Sequence, residues 1–118
     1  MQGLQNVTFT SSGAGILEGN GEAWWGYINY WLIGTNRPRM FHIHNSTNLL
    51  MEYWHFKQAP RWTTFFHDIA DLTIRYSHID NRRDSSNTHS LYNLGAFNTD
   101  GFDVAGKNVH IHDVSVWN

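Results

Sequence analysis

Three stretches of nine residues decide the fold of this chain: NLLMEYWHF (Asn48–Phe56), DLTIRYSHI (Asp71–Ile79) and NVHIHDVSV (Asn108–Val116). Each begins with Asn or Asp, which tolerate left-handed backbone geometry, continues with an apolar-x-apolar pair and closes on an apolar residue. The first two stretches start 23 residues apart, and the third starts 37 residues later. The longer step equals one period plus a loop of 14 residues, which fits the polar segment around Asn81–Asn87. A period of about 20 to 25 residues made of short β-segments is typical of a solenoid.

The repeat predicts an all-β chain, a partial right-handed parallel β-helix. Leucine-rich repeats have a similar period, but they need a leucine-rich consensus that is absent here. Equivalent positions of a β-helix stack in columns, two apolar and one charged in this chain: Leu49–Leu72–Val109, Met51–Ile74–Ile111 and Glu52–Arg75–His112. A solenoid needs caps at its ends, and neither end of this sequence resembles one. Residues 1–118 are therefore expected to be part of a single β-helix domain, truncated at the C-terminal end and at the N-terminal end.

The remaining segments are less regular. Gln5–Phe9 and Ile16–Leu17 are expected to be short strands, because apolar and polar residues alternate or are flanked by turn formers. The aromatic-rich segment Ala23–Ile33 fits neither a helical nor a strand period, and a short helix or a packed loop is expected there.

The composition excludes several classes of protein. Eight Lys plus Arg stand against ten Asp plus Glu, for a formal net charge of −2, whereas a nucleic-acid binder would show a basic patch or stripe. The chain has no cysteine and therefore no disulfide framework. It has no apolar run near the ~18 residues of a membrane span, and Met1–Gln5 does not resemble a signal peptide. Neither nucleic acid nor membrane is expected as a partner. Six tryptophans suit sugar binding, a large core or an interface.

The candidate site lies at a turn before the third repeat. Asn98–Val104, followed by Asn108–Ile111, resembles the Asn-Thr-Asp signature of polygalacturonases, glycoside hydrolase family 28. Gly19–Trp25 is similar to the Gly-x-Gly-x-x-Trp-Trp segment of that family, and Arg37-Pro38 and Ala59-Pro60-x-Trp62 recur at similar places. Together these segments cover nearly all of the chain in the order of the family.

The resemblance implies a right-handed parallel β-helix that hydrolyses α-1,4 links between galacturonates in pectin, with inversion at the anomeric carbon. It implies a pectin or polygalacturonate polysaccharide as partner, secretion, and no cofactor. Asp100 would help activate the attacking water, and Asn98 would orient Asp100 or the substrate. Asp103 is expected to be structural or substrate-adjacent. An inverting glycosidase holds its two carboxyl groups roughly 6.5–9.5 Å apart.

The chain departs from the family pattern in one respect. The Asp-Asp, Gly-His-Gly and Arg-Ile-Lys motifs of the family are absent, so the isolated chain is expected to be inactive, since one carboxylate cannot supply both proton transfers.

Strict alternation from Phe102 and Val104 would also point Asp100 into the core, where an unpaired carboxylate is costly. The catalytic interpretation therefore requires a bend at Gly101. The alternative is that Asp100 only forms the turn.

Other polar and aromatic groups are expected to be structural. His42-x-His44 and His110-x-His112 each place two imidazoles on one strand face, but they are expected to face solvent and not to bind metal. Trp24 and Trp25 are expected to pack, and Arg82-Arg83 to lie in a solvated loop.

Two other functions remain open. One is a non-catalytic β-helix module for carbohydrate binding or adhesion. The other is a lyase of the same fold, which would use calcium and a basic residue.

Overall fold

The computed structural model describes residues 1–25, 37–83 and 98–118. Within these ranges the chain forms eight strands and a short 3-10 helix at Gly21–Ala23. Four strands are long or of medium length: β1 (Gln5–Thr10), β3 (Phe41–Glu52), β5 (Thr64–Arg75) and β7 (Phe102–His112). Each is followed by a strand of three residues: β2 (Ile16–Glu18), β4 (His55–Lys57), β6 (His78–Asp80) and β8 (Ser115–Trp117).

The strands form two sheets, and every neighbouring pair of strands is parallel. The first sheet has the order β1-β3-β5-β7, and the second has the order β2-β4-β6-β8. The chain therefore runs along the first sheet, crosses to the second, and returns to the first sheet one level further on. This winding is that of a parallel β-helix, and it confirms the fold predicted from the repeat.

All three predicted columns are present in the register of the first sheet. The paired Cα positions are Leu49–Leu72–Val109, Met51–Ile74–Ile111 and Glu52–Arg75–His112. In the charged column, Nη2 of Arg75 lies 2.8 Å from Oε2 of Glu52. The strand β1 belongs to a further equivalent coil, which the three repeated stretches do not contain: Val7 lies beside Leu49 and Phe9 beside Met51. The step between these coils is 42 residues, because the segment between β2 and β3 carries extra residues that hide the period.

Asn and Asp residues turn the corners of the first sheet. Asn6, Asn48, Asp71 and Asn108, which occupy equivalent positions in the four coils, all have φ between 53° and 59°. Side chains of this type reach the left-handed region at lower cost than other non-glycine residues. Their side chains also bond across coils: Asn48 donates to Asn6 (2.6 Å) and Asn108 to Asp71 (2.8 Å). The residues that open each repeat thus fix the bend and the register together.

One apolar core fills the space between the two sheets. Its buried members come from the two central coils: Ile43, Leu49, Met51, Phe56, Phe66, Ile69, Leu72, Ile74 and Ile79. Residues of the outer coils, such as Val7 and Val109, pack against it while half-buried. The core therefore excludes water best around β3 to β6, the part of the fold next to the candidate site.

Two segments of the sequence analysis fall partly outside the described residues. These are Ala23–Ile33, of which the structure describes Ala23–Trp25, and the polar insertion around Asn81–Asn87, of which it describes residues 81–83. Within the described ranges, no helix has the length and apolar character needed to cross a membrane.

Candidate functional site

The candidate turn lies where the chain enters β7. Asn98 has a left-handed φ of 55°, and its neighbour Thr99 is 2% exposed. Asp100 is exposed, while Gly101 after it is buried and forms a bend. The alternation of inward-facing and outward-facing residues is therefore interrupted between the turn and β7. Asp100 points to solvent although Val104, four residues later, packs against the core.

A buried asparagine holds this turn from inside. The side chain of Asn81, 1% exposed, accepts a hydrogen bond from the amide of Ala59 (2.8 Å). Its Nδ2 donates to Oγ1 of Thr63 and to the carbonyl of Thr99, both at 2.8 Å. Both the oxygen and the nitrogen of the Asn81 side chain are thus hydrogen-bonded, as expected for a buried amide. The carbonyl of Thr99 is fixed, and Asp100 follows it directly.

Two threonines of the previous coil hold the next two residues of the turn. The amide of Thr63 donates to the carbonyl of Asp100 (2.8 Å). The amide and the hydroxyl of Thr64 both donate to the carbonyl of Gly101, at 3.2 and 2.9 Å. Three successive carbonyls are therefore bonded to buried groups, so the backbone that carries Asp100 is rigid before any ligand arrives.

Gly101 is needed for space and not for a left-handed backbone. Its φ is not positive, so the expected bend is present but does not use the conformational freedom of glycine. A Cβ at this position would lie 3.1 Å from Cγ1 of Val116 and 3.3 Å from Cδ1 of Ile79. The backbone of the turn therefore approaches the core so closely that a side chain would displace its neighbours.

Asp103 is a second carboxylate near Asp100, in a drier setting. It is half-buried, and its buried Oδ2 has no hydrogen-bond partner among the described residues. Burial raises the pKa of Asp103 above its ordinary value, and the negative charge of Asp100 raises it further, while Arg39 and Arg61 act in the opposite direction. A carboxyl in this setting retains its proton to higher pH than an exposed one.

Arginines and aromatic rings lie beside the two carboxylates. The guanidinium carbon of Arg39 is 4.5 Å from the ring centroids of both Trp62 and Phe65, and that of Arg61 is 4.5 Å from the ring of Trp62. Phe65 is paired in register with Asp103 on the outward face of the first sheet. Guanidinium cations held over aromatic rings therefore lie close to a carboxylate on this face.

Comparison with known proteins shows the family of this chain. The sequence model of glycosyl hydrolases family 28 matches residues 1–118. The chain belongs to this family. It is 30% identical over 105 residues to a probable exopolygalacturonase C of Aspergillus niger, and 28% identical over 107 residues to a polygalacturonase of Penicillium griseoroseum. These alignments cover 88% and 87% of this chain, but only 22% and 25% of the two relatives.

Family membership confirms the predicted resemblance, and the structure places the predicted residues as follows. Asp100 and Asn98 are exposed at the turn. Asp103 lies close enough to Asp100 for the negative charge of Asp100 to raise the pKa of Asp103. The catalytic roles of these residues stay predictions. Among the described residues, no group of three or more His, Asp or Glu is placed to hold a metal ion.

The groups expected to be structural fall into three cases. Trp25 is buried and donates from Nε1 to the carbonyl of Ala59 (3.1 Å), whereas Trp24 is exposed. Arg82 forms an ion pair with Asp80 (2.6 Å). His110 and His112 are exposed as expected, but His42 and His44 are half-buried among other rings.

Sequence reasoning missed the residues that support the turn. The sequence pattern places Asn81 in a polar insertion and indicates no role for Thr63, Thr64, Arg39 and Arg61. The one available signal was position: Asn81 directly follows the strand that closes the second repeat, where the next coil must begin. Periodicity alone does not identify a buried polar residue at such a point, because its partners come from other coils.

Proposed function

We propose that this chain supplies one wall of the substrate cleft, and one catalytic carboxylate, of a hydrolase that cleaves α-1,4-galacturonosyl links in pectin-type polysaccharides. The observation that carries the proposal is the exposed Asp100 on a backbone held by Asn81, Thr63 and Thr64, in a chain of family 28. A carboxylate on a rigid turn is suited to position a water molecule, because its placement costs no entropy at the moment of reaction.

In the proposed mechanism Asp100 activates a water molecule, and the attack of this water inverts the configuration at the anomeric carbon. Inversion needs a second carboxyl that protonates the leaving oxygen from the other side, roughly 6.5–9.5 Å away. We place Asp103 beside the substrate, where its carboxyl group, whose Oδ2 has no hydrogen-bond partner among the described residues, can bond a sugar hydroxyl. Asn98 orients Asp100 or the substrate.

We further propose that the 118 residues alone do not turn over substrate. The chain spans 22% and 25% of the length of the two relatives, and one water-activating carboxylate supplies only one of the two proton transfers. Each transfer contributes about 10²–10⁴-fold to the rate. Because the polysaccharide is too large to cross a membrane, the natural polypeptide would act outside the cell.

The experiment measures new reducing ends on polygalacturonate. In the natural polypeptide that carries these residues, Asp100→Asn should lower kcat by about 10²-fold or more. Asp71→Asn is the matched control, because Asp71 is exposed at a coil corner and an amide there still accepts from Asn108. The 118-residue chain should produce no reducing ends. Equal rates for Asp100→Asn and wild type would refute the role of Asp100.

A non-catalytic carbohydrate-binding module is the second candidate. It is favoured by the arginines and rings at Arg39, Arg61, Trp62 and Phe65, which have the chemistry of sugar binding without that of hydrolysis. Binding of oligogalacturonate by the natural polypeptide, without turnover under any condition, would support this function over the first.

A further inference from the structure

Three histidines form a continuous cluster on the outward face of the first sheet. His44 and His67 are paired in register on β3 and β5, and their rings are stacked, with centroids 5.0 Å apart and planes 4° from parallel. The ring of His42 lies 5.4 Å from that of His44 and 5.5 Å from that of His67. Phe65 completes the cluster, 5.0 Å from His42 and 5.3 Å from His67. We call these four side chains the histidine strip.

The histidine strip continues the candidate site across the coils. Phe65 lies beside Asp103 in register, and His42, on the coil before that of Phe65, lies beside Phe65. Parallel strands are about 4.8 Å apart, so the strip extends one to two coils away from Asp100. A polysaccharide lying across the strands would meet the carboxylates first and the imidazoles next.

Three imidazoles are packed together on this face. Stacked imidazoles repel each other when both are protonated, and burial lowers the pKa of His42, as do the charges of Arg39, His44 and His67. The buried Nε2 of His42 has no hydrogen-bond partner among the described residues. A core-facing alternative is also excluded, because the inward positions between them are held by Ile43 and Phe66. The cluster therefore lies on the outward face of the sheet, with Asp68 as the carboxylate partner of His67.

Building on the function proposed above, we propose that the histidine strip binds successive carboxylate-bearing sugar residues of the polysaccharide and does so more tightly as the pH falls. Phe65 supplies an apolar face for a sugar ring. His67 Nδ1 lies 3.1 Å from Oδ2 of Asp68, which favours a proton on Nδ1 and leaves Nε2 free to take up a second proton and donate it to a ligand carboxylate. Neutral imidazoles lack that charge, so affinity is lost as pH rises through their titration.

The other charged groups around the strip set its pH response. They are the amino group of Met1, Arg39 in the segment before β3, Asp68 on β5 and Asp103 on β7. Arg39 keeps its charge at every relevant pH and gives a constant attraction for anions. The imidazoles therefore supply the part of the affinity that changes between about pH 5 and pH 7.5. Uronate carboxylates stay ionised over this range.

The test is calorimetric titration of the 118-residue chain with a galacturonate oligosaccharide, and with its methyl ester as the neutral probe. The dissociation constant for the acidic probe should rise by about tenfold from about pH 5 to pH 7.5, which corresponds to the loss of one charge-assisted contact. The ester should bind with no such change. Binding of the acid should also take up protons, seen as a heat that depends on the ionisation enthalpy of the buffer. Failure of the acidic probe to bind, or equal pH dependence for the two probes, would overturn the proposal.

Variants locate the effect. The double variant His44→Gln, His67→Gln should lose the pH dependence, while His110→Gln, an exposed histidine outside the strip, should keep it. Histidine ring NMR on the wild-type chain gives a second measurement that does not depend on the folding of the double variant. The titrations of His44 and His67 should move to higher pH when the acidic probe is added, and unmoved titrations would refute the proposal.

The outcome is separable from that of the proposed function. If Asp100→Asn leaves hydrolysis by the natural polypeptide unchanged while the strip still binds the acidic probe with proton uptake, the catalytic assignment fails and the strip stands. If hydrolysis depends on Asp100 but binding shows no pH dependence, the strip fails alone.

Discussion

Replacement of Asn81 by alanine tests the claim that a buried amide holds the candidate turn. The substitution removes three hydrogen bonds, to Ala59, Thr63 and Thr99, all at 2.8 Å. Each such bond contributes about 0.5–1.5 kcal/mol, and a buried partner left unpaired costs about 1–3 kcal/mol. The polar groups on both sides are buried, so water cannot easily replace the amide. We expect Asn81→Ala to lower the free energy of unfolding by about 3–5 kcal/mol, a large share of the stability of a small domain.

Equilibrium unfolding in urea, followed by tryptophan fluorescence, measures this loss. For an m-value of about 2 kcal/mol/M, the midpoint should fall by about 1.5–2.5 M. Asn81→Asp should be at least as harmful, because it buries a carboxylate that can only accept hydrogen bonds against the carbonyl of Thr99. Asn118→Ala, at an exposed asparagine, is the control and should stay within about 0.5 kcal/mol of wild type. A loss below about 1 kcal/mol for Asn81→Ala would refute the reasoning.

Three further substitutions or conditions test other parts of the fold by the same urea assay. Gly101→Ala should cost about 1–3 kcal/mol, because the new Cβ would press on Val116 at 3.1 Å; an unchanged midpoint would show that the turn has room. Leu72→Ala, at a core residue 1% exposed, should cost about 2–5 kcal/mol, and a smaller effect would mean that the central coils collapse around the cavity. The hydrogen bonds and charge of Arg82 lower the pKa of Asp80 to about 2. A carboxyl with a depressed pKa stabilises the fold above its unfolded pKa and loses that effect as pH falls through the folded value, so the midpoint should drop between about pH 5 and pH 2, and less steeply in Arg82→Met.

The parallel β-helix could be predicted because its signal is local and repeated. An Asn or Asp that adopts a left-handed φ and two alternating apolar residues recur at Asn48, Asp71 and Asn108. Coils with the same pattern stack on one another because a single coil cannot bury its apolar face alone. The coil at Asn6 escaped detection only because the insertion between β2 and β3 changed its spacing.

Part of the candidate turn could be described from the sequence. The bend expected at Gly101 is present and Asp100 is exposed, while the catalytic roles of the motif stay predictions. The sequence does not show why a glycine stands there, which is the close approach of the turn to Val116 and Ile79. Such an approach depends on side chains from later and earlier coils, which no local pattern contains.

The sequence by itself determined the coil, its corners and the order of its columns, because each of these follows from residues within one period. Only the tertiary structure decided which polar groups share a surface. Asn81 reaches Thr99 across the insertion, and His42, His44 and His67 meet because strands of successive coils pair in parallel register. A one-residue shift of that register would turn each of these side chains to the opposite face. The chemistry of the surface therefore depends on pairing between coils, which is a property of the folded chain.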